Sequence, residues 1–259
     1  MYGRVESIEW LTPLYVRVVL NGDGLADYAP VPCTDGYVNV AIPPPDAPYA
    51  TPFALDELKE LPREQRPFRR RITVRHWEPE SRRLTLEFIT HGDDGAVGPW
   101  AARAQEGDVL VFTGPAGAYT PDPGADWHLM AGDESALPAI AASLDAVPPG
   151  VPVVVRLACD GSEYEIPLTT RGDLDLAWVH RPDRLEDAVA ALEFPAGRVH
   201  AFIHGEAGET RAVRRHLLAD RGLDAGQLSC SPYWKRGLTD EAWRAIKAAW
   251  NAEVARDVT

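Results

Sequence analysis

The side chains best placed by type and spacing to do chemistry are cationic. The stretch Arg69-Arg70-Arg71-Ile72-Thr73-Val74-Arg75 sets four guanidinium groups on a segment whose second half alternates like a strand. On a strand, Arg71, Thr73 and Arg75 share one face, and Arg70, Ile72 and Val74 share the other. A guanidinium is a rigid planar fork of donors that suits a phosphate. A solvated strand start explains the same residues equally well, because Glu57, Glu60 and Glu64 lie just upstream.

Four further stretches carry ligand chemistry of a similar kind. In HGDDGAVGPW, residues 91–100, glycines recur every third position before a short helix predicted over Pro99–Gln105. Exposed amides of such a loop can cradle an anion, although neither the dinucleotide fingerprint nor the P-loop pattern is present. In AGDESALPAI, residues 131–140, small residues join a strand to a helix, as where α/β sheets bind ligands; Asp133 and Ser135 also suit simple capping roles. His204-Gly205-Glu206 repeats the strand-glycine-helix arrangement. Ser231–Gly237, SPYWKRG, reads as a loop pairing Tyr233 and Trp234 with Lys235 and Arg236, suited to ring stacking or anion capture, or to packing under the last helix.

Other chemistries lack support. No nucleophile elbow or paired carboxylates stand out. His200 and His204, four apart on a strand, are separated by about 13 Å and cannot share an ion. Cys33, Cys159 and Cys230 have neither metal-ligand nor redox-motif spacing and read as reduced thiols. A net charge of −13 argues against nucleic acid or an anionic membrane as a bulk partner. MYGRVESIEW lacks a signal-peptide core and no apolar run reaches membrane-spanning length, so the expected location is the cytoplasm.

Two kinds of element must position these residues. Up to about Pro123, short alternating segments (residues 15–20, 37–42, 72–77, 84–89 and 108–112) separated by Gly and Pro predict an antiparallel barrel or sandwich. LDELKEL, residues 55–61, reads as a helical insert. From Trp127 onward, continuous apolar strands alternate with helices predicted over 134–145, 185–192, 206–221 and 240–254. That rhythm implies a mostly parallel sheet covered on both faces. The joint is placed at PDPGAD, giving domains 1–123 and 124–259.

Taken in order, these pieces resemble the siderophore-interacting protein family, the ferric-siderophore reductases of the ferredoxin-reductase-like flavoprotein superfamily. The resemblance runs from LTPLYVRVVLNGDGL (residues 11–25) to YWKRGLTDEAW (residues 233–243). It includes GDESALPAI against the family's GDETALPAI, HGDDGAVGPWAARAQEGD, HGEAGETRAVRRHL and YWKRG. It implies a flavin-binding Greek-key β-barrel followed by a Rossmann-like α/β domain that binds NAD(P)H, with a C-terminal helix.

Carried over residue by residue, the family's Arg-x-Tyr-Thr motif puts Arg70 on the FAD pyrophosphate and Thr73 against the isoalloxazine. Ile72 replaces the tyrosine that commonly stacks on the flavin. His91, Gly92, Val97, Gly98 and Trp100 would complete the site, with Val97 and Gly98 standing for the usual alanine and serine. Asp133, Glu134 and Ser135 would sit beside the flavin, Gly205 and Glu206 would line the nicotinamide crevice, and Tyr233 and Trp234 would lie at the site. Lys235 and Arg236 would guard its mouth. The implied reaction is hydride transfer from NAD(P)H to FAD, then single-electron reduction of Fe(III) in a siderophore, with no metal held by the protein. Lys59 and Arg66 are further cations for an anionic siderophore, without motif support. The rivals are a flavin reductase exchanging electrons with a protein such as a ferredoxin or oxygenase, and a non-enzymatic siderophore carrier. Trp250, sharing a helical face with Trp243 and Ile246, either gates the flavin or packs on the sheet.

Overall fold

In the computed structural model, described for residues 1–90, 95–182 and 184–258, the chain divides into two compact units, Met1–Ala118 and Tyr119–Thr259. Six antiparallel strands close the first into a barrel: β1 (Tyr2–Thr12), β2 (Tyr15–Asn21), β3 (Tyr37–Ile42), β4 (Phe68–Glu78), β5 (Arg83–Ile89) and β6 (Val109–Ala116). Their order around the wall is β1-β2-β5-β4-β3-β6. Alternation fills the interior with Val16, Val18, Leu20, Val38, Val40, Ile72, Leu84, Leu86, Leu110 and Phe112. Helix α1 (Val97–Arg103) caps this core through Val97 and Ala101, and Trp100 lies 5.8 Å from the Phe88 ring.

Three sequence expectations change here. β1 is a strand that the alternation pattern did not reveal, because irregularities at Val5/Ser7 and Trp10/Thr12 break its two-residue period. LDELKEL forms successive three-residue turns, such as Leu58 N to Leu55 O, and only Leu58 among its leucines is buried. A proline on either side, Pro52 and Pro62, limits that segment's reach. Helix α1 begins two residues earlier than the proline suggested, at Val97.

The second unit holds a five-stranded, all-parallel sheet in the order β11-β10-β7-β8-β9, made of β7 (Trp127–Asp133), β8 (Pro152–Cys159), β9 (Asp173–His180), β10 (Val199–Glu206) and β11 (Leu228–Trp234). The three central strands, β7, β8 and β10, are largely apolar because both their faces are covered, whereas the edge strands β9 and β11 are only partly buried. Trp127, Leu129, Ala131, Ala201 and Ile203 pack with Leu185 and Val189 of α3 (Leu185–Ala190) and Val213 of α4 (Ala207–Arg215). Leu217, just beyond α4, joins them from the π turn His216–Asp220 that ends this helical stretch. Met130, Val155 and Phe202 are buried on the alternate face. Helix α2 (Leu137–Ala146) starts after a turn, and α5 (Asp240–Ala255) carries the buried Trp243. Trp250 stands edge-on to Trp243 at 5.5 Å, while Ile246 is exposed, so the expected three-residue apolar face is incomplete. Chain order reverses between β7 and β10, the switch point at which open α/β sheets bind ligands outside their carboxyl ends.

Candidate functional site

In the barrel, the predicted residues lie where the wall parts. The β4–β5 ladder runs from Glu78↔Arg83 only as far as Val74↔Leu86. Residues 68–73 of β4 then continue with β3, from Ile42↔Phe68 to Tyr37↔Thr73, while residues 87–89 of β5 continue with β2. Among the described residues the two strands therefore separate, and that opening runs alongside Arg70, Ile72 and Thr73.

The faces alternate as expected. Ile72, 8 % exposed, packs into the core, and Thr73 is half-buried on the opposite face beside Tyr37. Arg70 shares the inward face at the barrel's end, where it is half-buried. Its neighbours have structural duties. Arg69 donates to Asn39 O at 3.2 Å and Thr113 Oγ1 at 2.6 Å, and the Arg71 guanidinium lies 5.2 Å from the centre of the Tyr37 ring.

His91 and Gly92 lie outside the described residues. Just after them, Gly95 has φ 77°, and a Cβ there would meet only open space. Gly98 is half-buried inside α1, while Val97 and Trp100 pack on the barrel core. The cations without motif support are engaged locally: Lys59 pairs with Asp56 at 2.6 Å and Arg66 donates to Leu61 O at 2.7 Å. A parted wall, a half-buried arginine, a threonine hydroxyl and an uncrowded positive-φ glycine are what a ring system with a diphosphate requires, so these residues fit FAD.

At the carboxyl ends of the sheet the geometry is closed. Asp133, 1 % exposed, ends β7. Its Oδ1 accepts from Ser135 N at 2.8 Å and Ser135 Oγ at 2.5 Å. Its Oδ2 accepts from Glu206 N and from Trp234 Nε1, both at 2.8 Å. One carboxylate thus ties together the ends of β7, β10 and β11, and burial raises its pKa against the pull of these donors. Gly205 (φ 136°) makes this possible, since a Cβ there would sit 2.9 Å from the Asp133 carboxyl carbon. Glu206 caps α4, its Oε2 accepting from Gly208 N at 2.5 Å and Glu209 N at 3.0 Å, and its Oε1 accepts from Arg236 N at 3.0 Å.

The SPYWKRG stretch is not wholly a loop. Ser231–Trp234 complete β11, and only Lys235 onward leaves the sheet. Tyr233 meets the His204 ring edge-on at 5.1 Å. Lys235 is half-buried, and Arg236, 63 % exposed, lies 3.4 Å from Glu209.

Three residues were not foreseen from the sequence. Arg181, just after β9, donates to Asp160 at 2.9 Å and to both oxygens of Glu134 at 3.2 and 3.3 Å, with Glu209 at 3.9 Å from its Nε. Burial raises the Glu209 pKa, with Asp133 adding to it. The available signal was position: in a parallel sheet, whatever follows a strand stands at the ligand edge.

A closed antiparallel barrel followed by a parallel sheet of this order is a ferredoxin-reductase-like flavoprotein architecture. Residues 4–119 match the siderophore-interacting FAD-binding domain, and residues 125–237 match the siderophore-interacting protein family. An uncharacterised protein of Mycobacterium tuberculosis is 39% identical over 97% of this chain and 94% of its own length. The ferric vibriobactin reductase of Vibrio cholerae is 35% identical over 70% of this chain and 69% of its own. The crystal structure of a siderophore-interacting protein from Aeromonas hydrophila superposes with a TM-score of 0.83 at 26% identity, covering 97% of this chain and 98% of that one. The chain belongs to the siderophore-interacting protein family.

Proposed function

We propose that the chain is an FAD-dependent reductase that takes hydride from a reduced nicotinamide nucleotide and reduces Fe(III) held in a siderophore. The observation that carries this reading is the parted β4–β5 wall with Arg70 and Thr73 beside it, inside the residues matched to the FAD-binding domain. Bound FAD supplies the redox chemistry, exchanging hydride on one side and single electrons on the other.

The protein's own part is positioning. Arg70 holds the pyrophosphate, Thr73 places its hydroxyl at the ring, and Ile72 gives an apolar contact. The stretch Gly95–Gly98 supplies backbone donors, with Trp100 behind it; the sequence assigns His91 and Gly92 to the same site. The second unit, whose start the sequence puts at residue 124, binds the nucleotide along its carboxyl edge. There Asp133, Ser135, Gly205 and Glu206 keep the strand ends in register, and Glu134 fixes Arg181. Tyr233 and Trp234 line the crevice, and Lys235 and Arg236 attract an anionic ferric siderophore in a protein that is otherwise acidic. Hard oxygen donors hold Fe(III) far better than Fe(II), so reduction itself frees the iron, in the cytoplasm on this reading.

Purified protein is expected to be yellow, to bleach anaerobically with NADH or NADPH, and to colour a ferrous chelator only when a ferric siderophore is added. A colourless protein that takes up no added FAD overturns the proposal.

A further inference from the structure

The strand order assigns a place to the adenosine half of the nucleotide, and the residues there discriminate between the two nicotinamide donors. In a switch-point sheet the pyrophosphate lies at the first strand's turn, and the residue ending the second strand meets the adenosine ribose. Here the first strand is β7 and the second is β8, which ends at Cys159, so the acidic group at that end is Asp160, the first residue beyond it. We propose that Asp160 makes this chain select NADH over NADPH, by accepting a hydrogen bond from the ribose 2′-hydroxyl and repelling a 2′-phosphate. This rests on the nucleotide-binding reading of the second unit.

Three observations support the choice. The Asp160 side chain is 61 % exposed, so its carboxylate presents itself at the rim. The turn that follows offers a phosphate no cation: residues 157–170, LACDGSEYEIPLTT, contain Asp160, Glu163 and Glu165 and no lysine or arginine. The cation that meets Asp160 is already shared. Arg181 is held by Asp160 at 2.9 Å, by Glu134 at 3.2 Å and by Glu209 at 3.9 Å. A guanidinium divided among three carboxylates has no unopposed charge for a dianionic phosphate, and binding one would mean breaking those pairs in a half-buried site. The pairing also fixes Asp160, because Arg181 clamps one of its oxygens.

Two readouts test this on the full chain with FAD bound. In anaerobic stopped-flow reduction, wild type is expected to favour NADH over NADPH by at least tenfold in the second-order rate constant. Asp160→Ser and Asp160→Asn are expected to lower that ratio tenfold or more, mainly through weaker NADH binding and gained NADPH binding. Calorimetric titration with 5′-AMP and 2′,5′-ADP reads the same preference without electron transfer, and Asp160→Glu should keep it. Preference for NADPH and 2′,5′-ADP in wild type, or an unchanged ratio in both neutral variants, overturns the selectivity while leaving the reductase reading standing. If neither nucleotide binds and neither donor bleaches the flavin, both fall together.

Discussion

The barrel and the sheet use polar side chains in opposite ways. Along the parted wall of the barrel, Arg70 and Thr73 remain half-buried beside a gap between strands. At the carboxyl edge of the sheet, Asp133 and Glu206 are buried, and their oxygens are occupied by the protein's own donors. Polar residues at a predicted site therefore divide into those that can meet a ligand and those that build the frame. Type alone does not separate them; accessibility does. In the sheet, Asp160 and Arg236 remain at the surface.

The sharpest way to break this contrast is Asp133→Ala. If the carboxylate is a frame element, its loss leaves the buried Glu206 amide and the half-buried Ser135 amide and Trp234 indole N–H without their acceptor. Each buried donor left unmet costs about 1–3 kcal/mol, so the expected loss is about 4 kcal/mol. Native-state hydrogen exchange of amides in β7 and β10 would read it, with barrel amides as the internal reference. A loss under about 1 kcal/mol would show that the strand ends do not depend on Asp133.

The same contrast sets what could be read in advance. The alternation of Arg70, Ile72 and Thr73 was legible because a strand's faces follow from a period of two, and the order of the α/β elements because buried parallel strands are continuously apolar. β1 was not legible, since its irregularities scramble the period. LDELKEL was misread because leucines at helical spacing do not show whether a core awaits them: only Leu58 is buried, and a short helix depends on packing an apolar face. Nor could the grouping of Glu134, Asp160, Arg181 and Glu209 be foreseen: they come from four separate strand ends, and only the sheet brings them together. Asp133 was legible as important and not as buried, because a carboxylate's burial depends on donors contributed by β10 and β11.

A second test asks how dry the frame is. His204 is buried on β10, stacked on Phe202 at 3.8 Å, with Nε2 at 3.0 Å from Ser229 Oγ. Burial, assisted by the Lys247 charge, lowers its pKa from 6.5 to about 3. The folded state keeps the ring neutral while the unfolded chain protonates it below pH 6.5. Its contribution is therefore complete above pH 6.5 and is lost progressively as pH falls toward 3. Between pH 7 and 5, wild type should lose about 2 kcal/mol more than His204→Phe in urea unfolding. His128 and His200, whose pKa values burial also lowers, contribute equally to both proteins. Parallel pH profiles would mean that water reaches this ring.

The smallest expected effect sharpens the barrel's side of the comparison. The resemblance puts a flavin-stacking tyrosine where this chain has Ile72, and on that expectation Ile72→Tyr should tighten flavin binding. The structure sets two opposing effects on that substitution. A ring stacked on the flavin is worth about 0.5–1.5 kcal/mol. Yet the site is 8 % exposed and packed in the barrel core, and forcing extra volume into a filled core costs about 1–3 kcal/mol. The cost falls on the folded barrel and the gain on the complex, so the two are separable. The flavin-free variant should be less stable by about 1–2 kcal/mol, and its FAD affinity should rise by no more than about tenfold. A variant as stable as wild type would show that position 72 belongs to the open gap rather than to the core, and that the ligand-facing part of β4 includes its inward face.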